Sequence, residues 1–211
     1  MLSLFSFVIK SVNNKCVNQN NQAVMSILLI FIFLAIAVQR LMELRLAEKN
    51  RVLALSQGAK EFGAEHYFLF VLLHVSWMLG WLTEGWFNTH NPSLWADGDV
   101  GMIIMTVASI MIFLVAEGLR YWAIWSLGAA WNTRILVVPG AERVRRGAYR
   151  YLNHPNYVAV ALELAFVPLI FGAWKTALVA SLANAFILLV IRIPKENEAL
   201  QEVLTDRKSE Q

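Results

Sequence analysis

Apolar residues run along this chain in five nearly uncharged stretches, 22–39, 66–83, 100–116, 151–174 and 176–191, and Glu163 is the one Asp, Glu, Lys or Arg within them. A helix needs roughly 20 apolar residues to cross the hydrocarbon core, with a range of about 17–25. The five stretches lie near that length, the last of them if Lys175 and Arg192 at its ends reach back to the interface. Leu, Ile, Ala, Phe and Val fill them without the period-2 alternation of barrel strands, so the pattern predicts helices. The fold class that follows is an all-α integral membrane protein with about five transmembrane helices.

Composition agrees. Of 211 residues 58% are hydrophobic, and the mean hydropathy is +0.52. That balance excludes an ordinary soluble domain and a disordered chain, and a lone Cys16 can form no internal disulfide. The net charge of +3 matters less than where the positive residues sit. Placing the N-terminus outside and the C-terminus in the cytoplasm puts 15 of the 18 Lys and Arg residues inside, which selects that orientation. Residues 1–24 read as an N-terminal extension, with NNKCVNQNNQ as polar coil and no function assigned. Residues 25–117 carry the first spans, and 118–211 hold a connector, a helical hairpin and a C-terminal segment. Trp86, Trp95 and Trp174 are expected near the outer boundary and Trp122, Trp125 and Trp131 near the inner one.

Polar chemistry collects around 117–157 and 192–202. In TRILVVPGAERVRRG, Pro139-Gly140 marks a turn between two short extended pieces. GAYRYLNHPNY then leads into the fourth span, with Pro155 suited to a first helical turn and His154 at the cap. Free N–H groups at such a helix start suit a carboxylate or phosphate. At the exit of the fifth span, RIPKENEAL sets Arg192 and Glu196 four apart, facing one way on a continuous helix. Pro194 removes one hydrogen bond there and predicts a kink. Glu163 lies about two turns into a span, where an unpaired carboxylate costs roughly 2.5–3.5 kcal/mol, so it either lines a ligand site or pairs with an inner arginine. His66 and His74, eight apart, read as packing histidines rather than metal ligands. Neither a Gly-rich phosphate loop nor a nucleophile elbow is present.

GAYRYLNHPNY, a glutamate six residues later, a short hairpin and RIPKENEAL together resemble the isoprenylcysteine carboxyl methyltransferase family of membrane enzymes, and its bacterial branch in particular. The resemblance spans roughly residues 115–202. It implies S-adenosylmethionine as cofactor and a lipophilic small molecule or lipidated acceptor as partner, with no nucleic acid and no metal. It further implies that Tyr149, His154, Pro155, Asn156 and Tyr157 line the cofactor pocket, with Glu196 holding the cofactor from the C-terminal segment. Ala141–Val144 would supply backbone contacts, Val144 among them, and Arg134 a polar one. Arg192 matches the residue assigned to the acceptor, and His154 or Glu163 is a candidate base should the acceptor be an enol or phenol. Asn197 departs from the pattern, since many relatives carry a second Glu there. Two rival functions stay open: an NADPH-dependent membrane reductase of sterol-reductase type, in which HPNY followed by a glutamate also occurs, and a non-catalytic membrane scaffold. The short tail after RIPKENEAL favours methyl transfer over the reductase.

Overall fold

The computed structural model describes residues 2–91, 100–140 and 144–209, with side chains described at 20, 22–91, 100–140 and 144–202. The helices are α1 (Leu2–Ser56), α2 (Tyr67–His90), α3 (Val100–Leu127), α4 (Pro155–Leu169), α5 (Trp174–Phe186) and α6 (Ile193–Ser209). Two short strands, β1 (Lys60–Phe62) and β2 (Ile135–Val137), pair antiparallel with Phe62 opposite Ile135. Among the described residues, four helical segments are long and apolar enough to cross a membrane: Gln22–Ser56, Ala64–His90, Val100–Ala130 and Trp174–Glu202. The stretch expected as the fourth of five spans forms α4, at 15 residues a shorter apolar helix, because the chain turns at Gly172 (φ +64°).

Residues 13–22, expected as coil, are helical as part of α1. Between Met1 and Gln57 the chain has no Gly or Pro to stop a helix. The Trp95 and Ala141–Arg143 expectations fall outside the described residues.

Helices in lipid associate through close packing and internal polar contacts rather than burial from water. Trp81, fully buried, tilts against Phe33 of α1 and stacks on Phe171 at 5.8 Å. Gly85 permits this approach, since a Cβ there would lie 2.8 Å from Leu29 Cδ1 and 3.0 Å from Phe171 Cβ. Pro168 has no N–H, so the carbonyl of Leu164 loses its helical partner, and the indole N–H of Trp77 donates to it at 3.1 Å. Glu84 of α2 caps α5 from outside, accepting from the backbone of Lys175 and Thr176 and from the Thr176 hydroxyl. Of the tryptophans expected at interfaces, Trp86, Trp122, Trp125 and Trp174 are exposed, whereas Trp131 is buried against Ala47 and Ile124. Asn50 explains the difference: its amide donates to the Trp131 carbonyl at 2.7 Å and draws the connector onto α1.

A cluster of charges joins α1, α3 and α4. Glu163 is 1% exposed. Arg120 grips both its oxygens, with Nε donating to Oε1 at 2.5 Å, and Arg40 also donates to Oε2. Glu43 accepts from Arg40 at 2.7 Å and from Arg120 at 3.2 Å. Nearby, Gln39 donates to Glu117 at 2.6 Å. Removing one partner from such a buried set leaves an uncompensated charge, at a cost of about 3–5 kcal/mol.

Candidate active site

Two distant pieces of chain meet at the start of α4 and the start of α6. Pro155 occupies the first turn of α4 and His154 its N-cap. The His154 carbonyl accepts from the Tyr157 N–H at 3.1 Å, and the two rings stack nearly parallel, 5.0 Å apart. This places the Tyr157 hydroxyl toward α6, where it donates to Glu196 Oε2 at 2.7 Å. His154 Nδ1 lies 3.9 Å from the same oxygen. Arg192 Nε donates to the Tyr157 hydroxyl at 3.1 Å, and Nη2 donates to the Thr133 carbonyl at 3.1 Å. The guanidinium lies over the Phe70 ring, 5.6 Å from its centroid.

Arg192 and Glu196 meet one hydroxyl because the helix widens just before Pro194. Residues Ile187–Arg192 form a π-helical turn that runs directly into α6. Proline at 194 offers no N–H and crowds the carbonyl four residues back, and a wider turn accommodates both. The expected kink is thus a π turn within continuing helix.

Tyr149 lies half-buried in the short 3₁₀ segment Gly147–Arg150. Burial, reinforced by the charge of Glu196, pushes its phenol up to about 12. That segment docks on α3 through Ser126, whose hydroxyl accepts from the Ala148 N–H at 3.1 Å. Gly147 is required at this contact: its φ is +56°, and a Cβ would fall 2.0 Å from Ser126 Oγ. Asn156 Oδ1 is buried without a hydrogen-bond partner among the described residues, leaving an acceptor for an incoming group.

The other residues singled out in the sequence lie elsewhere or make different contacts. Arg134 pairs with Glu61 at 2.5 Å and covers the Tyr67 ring at 4.2 Å, tying β2 to the start of α2. Val144 is half-buried in the connector. Glu163 belongs to the buried cluster of Arg40 and Arg120, the pairing alternative, with both oxygens engaged. His74 Nδ1 donates to the Phe70 carbonyl at 2.8 Å, as a packing histidine does.

Phe70, Tyr67, Thr133 and Glu61 escaped sequence reasoning. Thr133 acts through its backbone carbonyl, which carries no residue-type signal. Phe70 and Tyr67 read as ordinary span residues. Glu61 took meaning only once β1 paired with β2 and brought it to Arg134 and Arg51.

The donor set fits S-adenosylmethionine on three counts: a partly exposed carboxylate at Glu196 for an ammonium, stacked faces at His154 and Tyr157 for a cation, and the free Asn156 oxygen. The sequence model of the isoprenylcysteine carboxyl methyltransferase (ICMT) family matches residues 108–202. A Bacillus subtilis (strain 168) protein described as "Uncharacterized protein YpbQ" is 41% identical over 165 residues, 78% of this chain and 92% of that one. A Haemophilus influenzae protein described as "Uncharacterized protein" is 26% identical over 172 residues, 81% of this chain and 94% of its own. No solved structure matches the chain. The family match runs from within α3 to within α6 and so encloses His154, Tyr157, Arg192 and Glu196, and the chain belongs to the isoprenylcysteine carboxyl methyltransferase (ICMT) family.

Proposed function

We propose that this protein is a membrane methyltransferase using S-adenosylmethionine to methylate a carboxylate or hydroxyl of a lipophilic acceptor. The observation that carries this reading is the junction of Tyr157 with Arg192 and Glu196, formed between segments 35 and 39 residues apart. When bound, the cofactor supplies a sulfonium-borne methyl group for in-line displacement by an acceptor oxygen. Positioning and desolvation are therefore the protein's main tasks. Glu196 would pair with the cofactor's ammonium, His154 and the Asn156 N–H in the first turn of α4 would meet its carboxylate, and Tyr149 and Tyr157 would face its cationic centre. Asn156 and Pro155 would complete the surrounding wall.

Arg192 docks the acceptor. Nε and Nη2 are held by Tyr157 and Thr133, which leaves Nη1 to meet an acceptor carboxylate. A carboxylate acceptor needs no general base, which agrees with Glu163 being fully engaged in ion pairs. The site opens to the cytoplasm of a bacterial inner membrane with the N-terminus outside, as the distribution of Lys and Arg supports.

Calorimetric titration of the purified protein with S-adenosylmethionine tests the reading. The native chain binds, while His154→Ala and Glu196→Ala lose binding and keep their thermal unfolding transitions. Arg192→Ala keeps cofactor affinity and loses turnover. Absence of binding by the native chain, or unchanged binding in both of the first two variants, overturns the proposal.

A further inference from the structure

The arginines around the connector fall into two groups. Arg40, Arg51, Arg120 and Arg134 are each matched by carboxylates, from Glu43, Glu48, Glu61 and Glu163. Arg145, Arg146 and Arg150 are exposed, and none of them forms an ion pair among the described residues. This positive charge, unmatched among the described residues, lies in the segment fastened to the end of α3. Arg146 Nε donates to the Ser126 carbonyl at 3.0 Å, in addition to the Ala148 contact with the same serine.

Aromatic side chains border it. Trp122 and Tyr151 meet at 6.0 Å, and the Arg150 guanidinium lies 5.9 Å over the Tyr151 ring. Tyr121 and Trp125 pair at 6.5 Å on the same stretch of α3. Tyr151 is 71% exposed and Trp125 77%, although both are large and largely apolar. Exposed tryptophan and tyrosine at the end of an apolar span match the headgroup region of a bilayer, where the ring sits in the acyl boundary and its polar edge meets water.

We infer that Arg145, Arg146 and Arg150, with Trp122, Trp125 and Tyr151, form a docking surface for the headgroups of anionic phospholipids. The occupant follows from charge and geometry together. The guanidinium groups offer forked donors suited to phosphate oxygens. The flanking rings belong at the depth where those phosphates lie. An acidic soluble partner would meet the arginines but would not cover the rings at the membrane boundary. The surface is separate from the methyl-transfer site, although the segment that carries it also carries Tyr149. Lipid bound there would hold Tyr149 in place.

The experiment measures lipid binding directly, so it does not depend on the methyltransferase reading. The full-length protein, purified in detergent, is titrated with phosphatidylglycerol or phosphatidylcholine, and bound lipid is counted by native mass spectrometry. The native chain prefers phosphatidylglycerol, and the preference weakens as salt rises. The triple variant R145Q/R146Q/R150Q loses affinity by about five-fold per arginine, while R145K/R146K/R150K retains most of it. Equal binding of both lipids by the native chain overturns the proposal. So does an undiminished phosphatidylglycerol preference in the glutamine variant, or its loss in a folded lysine variant. Binding of a polyglutamate peptide in place of the lipid would reassign the surface to an acidic protein partner.

Discussion

Tyr157 stands between opposite charges, receiving a hydrogen bond from Arg192 and giving one to Glu196. Its hydroxyl fixes the spacing of the two side chains. Tyr157→Phe is therefore expected to keep the fold and weaken S-adenosylmethionine binding by roughly 10–100-fold, the worth of about 1.5–3 kcal/mol for a hydrogen bond to a charged group, read by calorimetry. Tyr149 has a pH signature. Its folded-state value is raised, so the stabilising neutral phenol is fully present below the ordinary value of 10.0 and is lost as pH rises toward about 12. Absorbance of the phenolate, compared between native protein and Tyr149→Phe, should assign one late-titrating group to this residue. At this scale much of the candidate site was legible, because His154, Tyr157, Arg192 and Glu196 are chemically distinctive and stand in two short motifs, three and four residues apart. Thr133 and Phe70 were not, since a carbonyl and an apolar ring have no signature until the chain folds.

Among the elements, the long apolar helices were readable because lipid demands length and hydrophobicity and little else. What was not readable depends on partners far along the chain. β1 exists because β2 meets it, and the π turn at Ile187–Arg192 reconciles Pro194 with a helix that must continue. The carbonyl stranded by Pro168 makes Trp77 a testable element-scale contact. Trp77→Phe removes the indole N–H, leaving the Leu164 carbonyl unpaired, and shrinks a buried ring, which together should lower stability by at least about 1–3 kcal/mol, measured by thermal unfolding in detergent. Glu163→Gln distinguishes pairing from chemistry. Loss of its charge leaves Arg120 and Arg40 undercompensated and should destabilise α4 by about 3–5 kcal/mol. A variant that unfolds normally and has lost turnover would instead give Glu163 a role in the reaction.

For the whole molecule, the two-stranded sheet joins the loop after α1 to the connector before α4 through Glu61. Burial raises that carboxyl, and the hydrogen bonds and charges of Arg134 and Arg51 outweigh it, so its folded value lies below the ordinary 4.5. A depressed carboxylate stabilises above its unfolded value and ceases to as pH falls through the folded one. Acid unfolding of Glu61→Gln should therefore be flatter than that of the native chain as pH falls below the ordinary 4.5. The buried charges carry a further consequence for how the bundle is made. Arg40 with Glu43 on α1, and Arg120 with Glu163 on α3 and α4, are each self-neutralising couples. The cross-contacts Arg40 to Glu163 and Arg120 to Glu43 link the couples only once they dock. Each half can thus enter the bilayer with its charge already balanced and, on meeting the other, add distant partners to the local ones it keeps. Cutting the chain between α2 and α3 should give two fragments that reassemble when co-expressed, and Arg40→Leu in the first fragment should abolish that complementation.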